Sequence, residues 1–72
     1  MATLKFLGFL ADLAKTEEME VPIEKSQKLR DLLPFKLPED RAIVLINQER
    51  ASFDNPVHNG DTVPILPVIS GG

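Results

Sequence analysis

Apolar and polar residues alternate in three short stretches of the chain, and a period of two marks a strand with one buried face. Residues 3–8 place Leu4 and Phe6 on one side and Lys5 and Leu7 on the other. Residues 18–23 turn Met19, Val21 and Ile23 inward and Glu18 and Glu20 outward. Residues 62–66 repeat the alternation with Val63 and Ile65 inward. Between the first two stretches, residues 9–15 (FLADLAK) have a short apolar helical spacing that reads as a loop or a single turn. The first two strands are therefore expected to form an opening hairpin.

The middle of the chain changes period. Leu29, Leu32 and Leu33 fall at i, i+3 and i+4, one face of a helix, with Ser26 as its expected N-cap. Pro34 disfavours helical geometry at Leu33, so the helix should stop there. Phe35 and Leu37 then read as an irregular apolar link, and residues 38–40 as a surface crossing. Residues 42–47 (AIVLIN) form a continuous apolar run suited to an interior strand. Residues 48–50 read as a turn and 51–53 as a short strand. Residues 54–56 read as a second turn, and 59–61 as a third, in which Asn59-Gly60 supplies positive φ. The expected order is β-β-α-β-β-β, an α+β fold with a mixed sheet packed on one helix. Residues 1–68 form its single domain and residues 69–72 a C-terminal tail.

One helix covers only one face of a sheet. Leu4, Phe6, Val21, Ile23, Val44, Ile46, Val63 and Ile65 suffice for that face, yet Leu7, Leu45 and Leu66 fall on the opposite parity. Strict alternation assigns these three to the outer face, where an apolar cluster beside the tail is a candidate docking surface together with Pro67.

Composition narrows the chemistry. A chain of 72 residues has room for one domain, and 43% hydrophobic residues are ample for a small core. There is no cysteine for a disulfide or thiolate site, and the lone His58 builds no metal cluster and is read as a solvated loop residue. A net charge of −3 argues against nucleic-acid binding. No apolar run approaches the roughly 18 residues of a membrane span, and no signal peptide opens the sequence. A cytoplasmic protein without nucleic-acid or membrane partners is expected. No Ser/His/Asp arrangement, phosphate loop or metal spacing is present, so no catalysis of its own is expected.

What remains is the tail. From Thr62 to Gly72 no side chain is charged, and the sequence ends Ser70-Gly71-Gly72. Without Cβ atoms a Gly-Gly end can thread a narrow groove. Its carboxylate, a poor electrophile, becomes reactive once ATP converts it to an acyl-adenylate that a sulfur donor or an amine can attack.

Several spaced motifs agree with this reading. Phe6-Leu7-Gly8 with Asp12-Leu13-Ala14, Leu29-Arg30-Asp31-Leu32-Leu33, Ile46-Asn47-Gln48, the run from Ser52 to Val57, Asn59-Gly60-Asp61-Thr62-Val63 and Leu66-Pro67 with Ser70-Gly71-Gly72 resemble the MoaD/ThiS-like sulfur carrier family, most closely its MoaD branch. The end Val68-Ile69-Ser70-Gly71-Gly72 is similar to the ThiS branch. The resemblance implies a ubiquitin-like β-grasp fold and adenylation of Gly72 by a ubiquitin-activating-like adenylyltransferase of the MoeB/ThiF type. That enzyme uses the ATP, and the carrier binds no cofactor. Thiocarboxylation of Gly72 follows, and the tail enters a MoaE-like large subunit, where sulfur passes to a molybdopterin or tungsten-pterin precursor. Three alternatives share the fold: sulfur delivery for thiamine or transfer RNA thiolation, a ubiquitin-like modifier conjugated to lysines, and an interaction module with an inert end.

Overall fold

A computed structural model describes residues 1–33 and 35–68. Strand β1 (Ala2–Phe6) leads into helix α1 (Phe9–Ala14), strand β2 (Glu18–Val21), the short strand β3 (Gln27–Lys28) and helix α2 (Leu29–Leu32). A 3₁₀ turn, Glu39–Arg41, precedes β4 (Ala42–Ile46), β5 (Glu49–Ala51), β6 (Pro56–Val57) and β7 (Thr62–Pro67). Five strands form one mixed sheet in the order β2-β1-β7-β4-β5, while β3 and β6 pair apart from it. The first and last strands lie side by side and parallel at its centre, with Leu4 beside Val63 and Phe6 beside Ile65. Parallel neighbours need a long crossover, and the segment carrying α2 supplies it.

The expected inner face is the core. Leu4, Phe6, Val44, Val63 and Ile65 are buried, and Val21, Ile23 and Ile46 are half-buried against them. The fold class expected from the sequence, an α+β β-grasp with a mixed sheet, is the one observed, with one amendment. Two short helices and the small β3–β6 sheet cover the inner face rather than one helix. Leu10 of α1, Leu29 of α2, Leu37, Phe53 and Val57 are all buried in the covering layer. Phe35, read as part of an irregular link, packs its ring on Phe6 at 5.6 Å between centroids.

Three local expectations are corrected. The segment after Gly8 is a six-residue helix, longer than the loop or single turn expected. Its C-terminus is closed by Lys15 in the left-handed region (φ 61°), where the Lys15 N–H donates to the Ala11 carbonyl. Six residues are too few for periodicity to separate a helix from a turn. Ser26 does not cap α2. Instead the Leu29 N–H donates to the Asn55 carbonyl (3.1 Å) and the Arg30 N–H to the Phe53 carbonyl (2.9 Å), so a distant turn supplies the acceptors a capping side chain would have given. The turn placed at 48–50 is centred on residues 47 and 48, starting one residue earlier, and the short strand placed at 51–53 is β5 at Glu49–Ala51. Asn47 (φ 54°) and Gln48 (φ 71°) are both left-handed, as a two-residue hairpin of the I′ kind requires, and Glu49 pairs with Ile46. Asn suits that geometry, whereas Gln48 gives no sequence signal for it. Leu33, in contrast, leaves the helix with ψ 125°, as a residue before proline should.

Candidate functional site

The outer face of the sheet takes its composition from strand register. The Leu7 N–H donates to the Ile65 carbonyl (3.1 Å), continuing the β1–β7 ladder one step and setting Leu7 beside Leu66. Leu66 pairs with Ile43 of β4. In the next row Glu18 pairs with Lys5, Lys5 with Pro64, and Leu45 with Arg50. Leu7, Ile43, Leu45, Pro64 and Leu66 therefore form an apolar field, with the charged side chains of Lys5, Glu18 and Arg50 at its margins. Leu7 is 41% exposed, and Leu45 and Leu66 are half-buried.

Pro64 also shapes this face. A proline has no N–H to give to a neighbouring strand, and the β4–β7 pairing runs only from Ala42 with Pro67 to Val44 with Ile65. Beyond it the surface sinks into an open depression of about 350 Å³ lined by Leu45, Asn47, Gln48, Thr62 and Pro64.

The three outward leucines expected from parity thus share one face. Pro67, grouped with them from the sequence, belongs elsewhere: it lies one step beyond Leu66 on the other side of β7, half-buried, with its ring against Gly8. Ser70, Gly71 and Gly72 lie outside the described residues. The last described link is the Val68 N–H, which donates to the Arg41 carbonyl at 2.8 Å and carries the β7–β4 edge one residue past the strand.

Sequence reasoning missed part of this end of the molecule. Phe9 and Leu13, four residues apart on α1, are 43% and 49% exposed, and Val68 is 40% exposed. With Leu7 they account for most of the large exposed apolar side chains among the described residues, and Leu7, Phe9 and Val68 directly flank Gly8 and Pro67 in the chain. The i, i+4 spacing of Phe9 and Leu13 was the available signal, once residues 9–14 are read as a helix.

The polar groups elsewhere brace the fold. Arg30 donates its Nε to Asp54 (2.7 Å) and both terminal nitrogens to the two oxygens of Glu39 (2.9 and 3.1 Å), tying α2 to the 53–55 turn and the 3₁₀ turn. The hydrogen bond from Arg30 holds the Asp54 carboxyl below the usual carboxylate range, and the same pairing raises Arg30. His58 is exposed, with its Nδ1 3.7 Å from Asp61 Oδ2, and its backbone N–H donates to the same carboxylate (2.8 Å). Among the described residues no His, Cys, Asp and Glu group could hold a metal, and no helix is long and apolar enough to cross a membrane.

A mixed sheet with parallel end strands at its centre, a covered inner face, and a bare apolar outer face beside the exit of the last strand define a ubiquitin-like β-grasp protein. The ThiS family model matches residues 4–72, nearly the whole chain and its last glycine included, so the chain belongs to the ThiS family of ubiquitin-like carrier proteins. Solved structures that share the fold include the following three. The chain is 23% identical to SAMP1 of Haloferax volcanii over 99% of this chain and 98% of that one, with a TM-score of 0.75. A second structure, of H. volcanii small archaeal modifier protein 1, gives 19% identity over 94% and 97% at a TM-score of 0.73. The putative molybdopterin converting factor, subunit 1, of Pyrococcus furiosus is 20% identical over 94% and 97%, with a TM-score of 0.70. No curated protein matches the sequence significantly.

Proposed function

We propose that this protein is a sulfur carrier whose Gly72 carboxylate is adenylated and then converted to a thiocarboxylate. The observation that carries the reading is a family match that runs through Gly71 and Gly72, on a chain whose last strand lies at the centre of the sheet beside the uncovered apolar face. Leu7, Leu45 and Leu66 dock the partner, Gly71 and Ser70 thread its channel, and Gly72 reacts. The ATP belongs to an adenylyltransferase of the MoeB/ThiF type, and the carrier is consumed as a reagent without catalysis of its own. A carrier of this kind works in the cytoplasm.

The proposed acceptor is the pterin precursor of a molybdenum or tungsten cofactor, reached through a MoaE-like large subunit. The run from Ser52 to Val63 leading into Leu66-Pro67 supports this branch through its resemblance to the synthase small subunit. A second reading, conjugation to lysines, is favoured by the fold shared with archaeal modifiers, and it starts from the same adenylate. Mass spectrometry of the chain recovered from its native cell separates the two. One C-terminal oxygen replaced by sulfur supports the carrier, and Gly-Gly remnants on lysines of other proteins support the modifier. An unmodified carboxylate with neither product overturns both.

A further inference from the structure

The end of β7 is fastened on both sides. The Leu7 N–H holds the Ile65 carbonyl, the Val68 N–H holds the Arg41 carbonyl, and between them the Pro67 ring lies against the bare Cα of Gly8. A methyl group built on Gly8 would stand 2.8 Å from Pro67 Cγ and 3.5 Å from Pro67 Cδ, the first too short for two carbons to sustain. Gly8 is also at φ 59° and ψ −141°, the mirror of the β region, as the first central residue of a turn closed by the Leu10 N–H to the Leu7 carbonyl (3.2 Å). The turn accounts for the backbone angles but not for the contact. Gly60, the other glycine with positive φ (93°) among the described residues, has nothing within 4 Å of where its Cβ would stand, so its turn alone requires it.

We propose that Gly8 is a positioning residue for acyl activation at Gly72: its missing Cβ seats Pro67 and so fixes where the chain leaves the domain relative to the outer-face leucines. The inference rests on the carrier reading. On that reading the partner must hold the docking face and reach the Gly72 carboxylate at once, and four residues, 69–72, lead from Val68 to that group. Fully extended they span about 14 Å, at roughly 3.5 Å per residue. A tether that short passes a shift at its root on to its end, and a misplacement of about 1 Å at a reacting group can cost on the order of 10²-fold in rate.

Two substitutions approach the contact from its two sides. Gly8→Ala puts a methyl into the Pro67 ring, and Pro67→Ala removes Cγ and Cδ without touching the backbone at Gly8. The measurements are ATP–pyrophosphate exchange with the adenylating enzyme from the same genome, and amide hydrogen exchange at Val68. For Gly8→Ala, kcat should fall about tenfold or more while KM holds, because the docking leucines are unchanged. Val68 should lose protection while the amides of Leu4 and Val44 keep theirs. Pro67→Ala should also speed exchange at Val68 and lower kcat, and it decides the matter if Gly8→Ala does not fold. A Pro67→Ala protein with wild-type Val68 protection and kcat overturns the proposal, as does a Gly8→Ala loss carried by KM alone. A wild-type chain that the enzyme does not adenylate overturns the carrier reading and this one together, whereas an adenylated wild type with an equally active Gly8→Ala variant overturns this one only.

Discussion

The two faces of the five-stranded sheet are made by the same strands one residue out of phase, and they differ in what lies over them. On the inner face Leu4, Val63 and Ile65 have no exposed surface, because α1, α2 and the β3–β6 pair close over them. On the outer face Leu7, Ile43, Leu45, Pro64 and Leu66 are as apolar, but nothing among the described residues covers them. Burial of the first set holds a 72-residue domain together. The second set keeps part of its apolar surface open to solvent, and on the proposed carrier reading a partner covers it. On that reading, sequence alternation of equal strength serves stability on one side and recognition on the other.

The sharpest way to break this comparison is at the tail. Deleting Gly72 should abolish ATP–pyrophosphate exchange with the adenylating enzyme and leave the unfolding curve unchanged, because the reacting carboxylate moves and no core residue does. Exchange at the wild-type rate would show that the terminus is not the reacting group. Next in size is the inner face. Leu4→Ala should lower unfolding free energy by about 2–5 kcal/mol in a urea titration, the range for emptying a buried leucine site. A loss well under that range would mean the core relaxes around the gap.

The outer face should respond in the opposite way. Leu7→Asp should change stability by no more than about 0.5 kcal/mol, since the side chain is already 41% exposed. Its affinity for the adenylating enzyme, measured by calorimetry, should fall by at least tenfold, on the scale of about 1.4 kcal/mol. Leu66→Asp, at a half-buried site, should show the same order of effects with a larger stability cost; a loss of stability without a loss of affinity at both positions would make the outer face structural. The smallest effect lies away from both faces, at the Arg30 clamp. Asp54 has a depressed pKa in the folded protein, so its pairing stabilises the fold above the unfolded value of about 3.9 and the contribution is lost as pH falls through the folded value. Arg30→Met should therefore be slightly less stable than wild type at neutral pH and equal to it in strong acid, as read from urea midpoints across that range. A gap that widens in acid would contradict the assignment.

The sequence alone determined the elements whose signals are local and repeated. Alternation in residues 3–8, 18–23 and 62–66 placed the inner residues of β1, β2 and β7, the apolar run 42–47 located an interior strand, and Pro34 ended α2 at Leu33. It also assigned the outward leucines to their face, because side-chain parity in a strand follows from backbone geometry alone. Tertiary structure decided what depends on partners far along the chain. The N-terminus of α2 is capped by carbonyls of the 53–55 turn more than 20 residues away, which no motif around Ser26 could reveal. Leu10, Phe53 and Val57 are core because their segments fold over the inner face of the sheet, although Leu10 sits in a stretch that reads as a loop or single turn, Phe53 ends a stretch that reads as a short strand, and Val57 lies between two expected turns. Pro67 was grouped with Leu66 by adjacency although strand parity sets it on the opposite side of β7, and only the close approach of β7 to the turn before α1 decided that its ring meets Gly8. Local sequence fixes which way a side chain faces along its own strand, while chain packing fixes what meets it there.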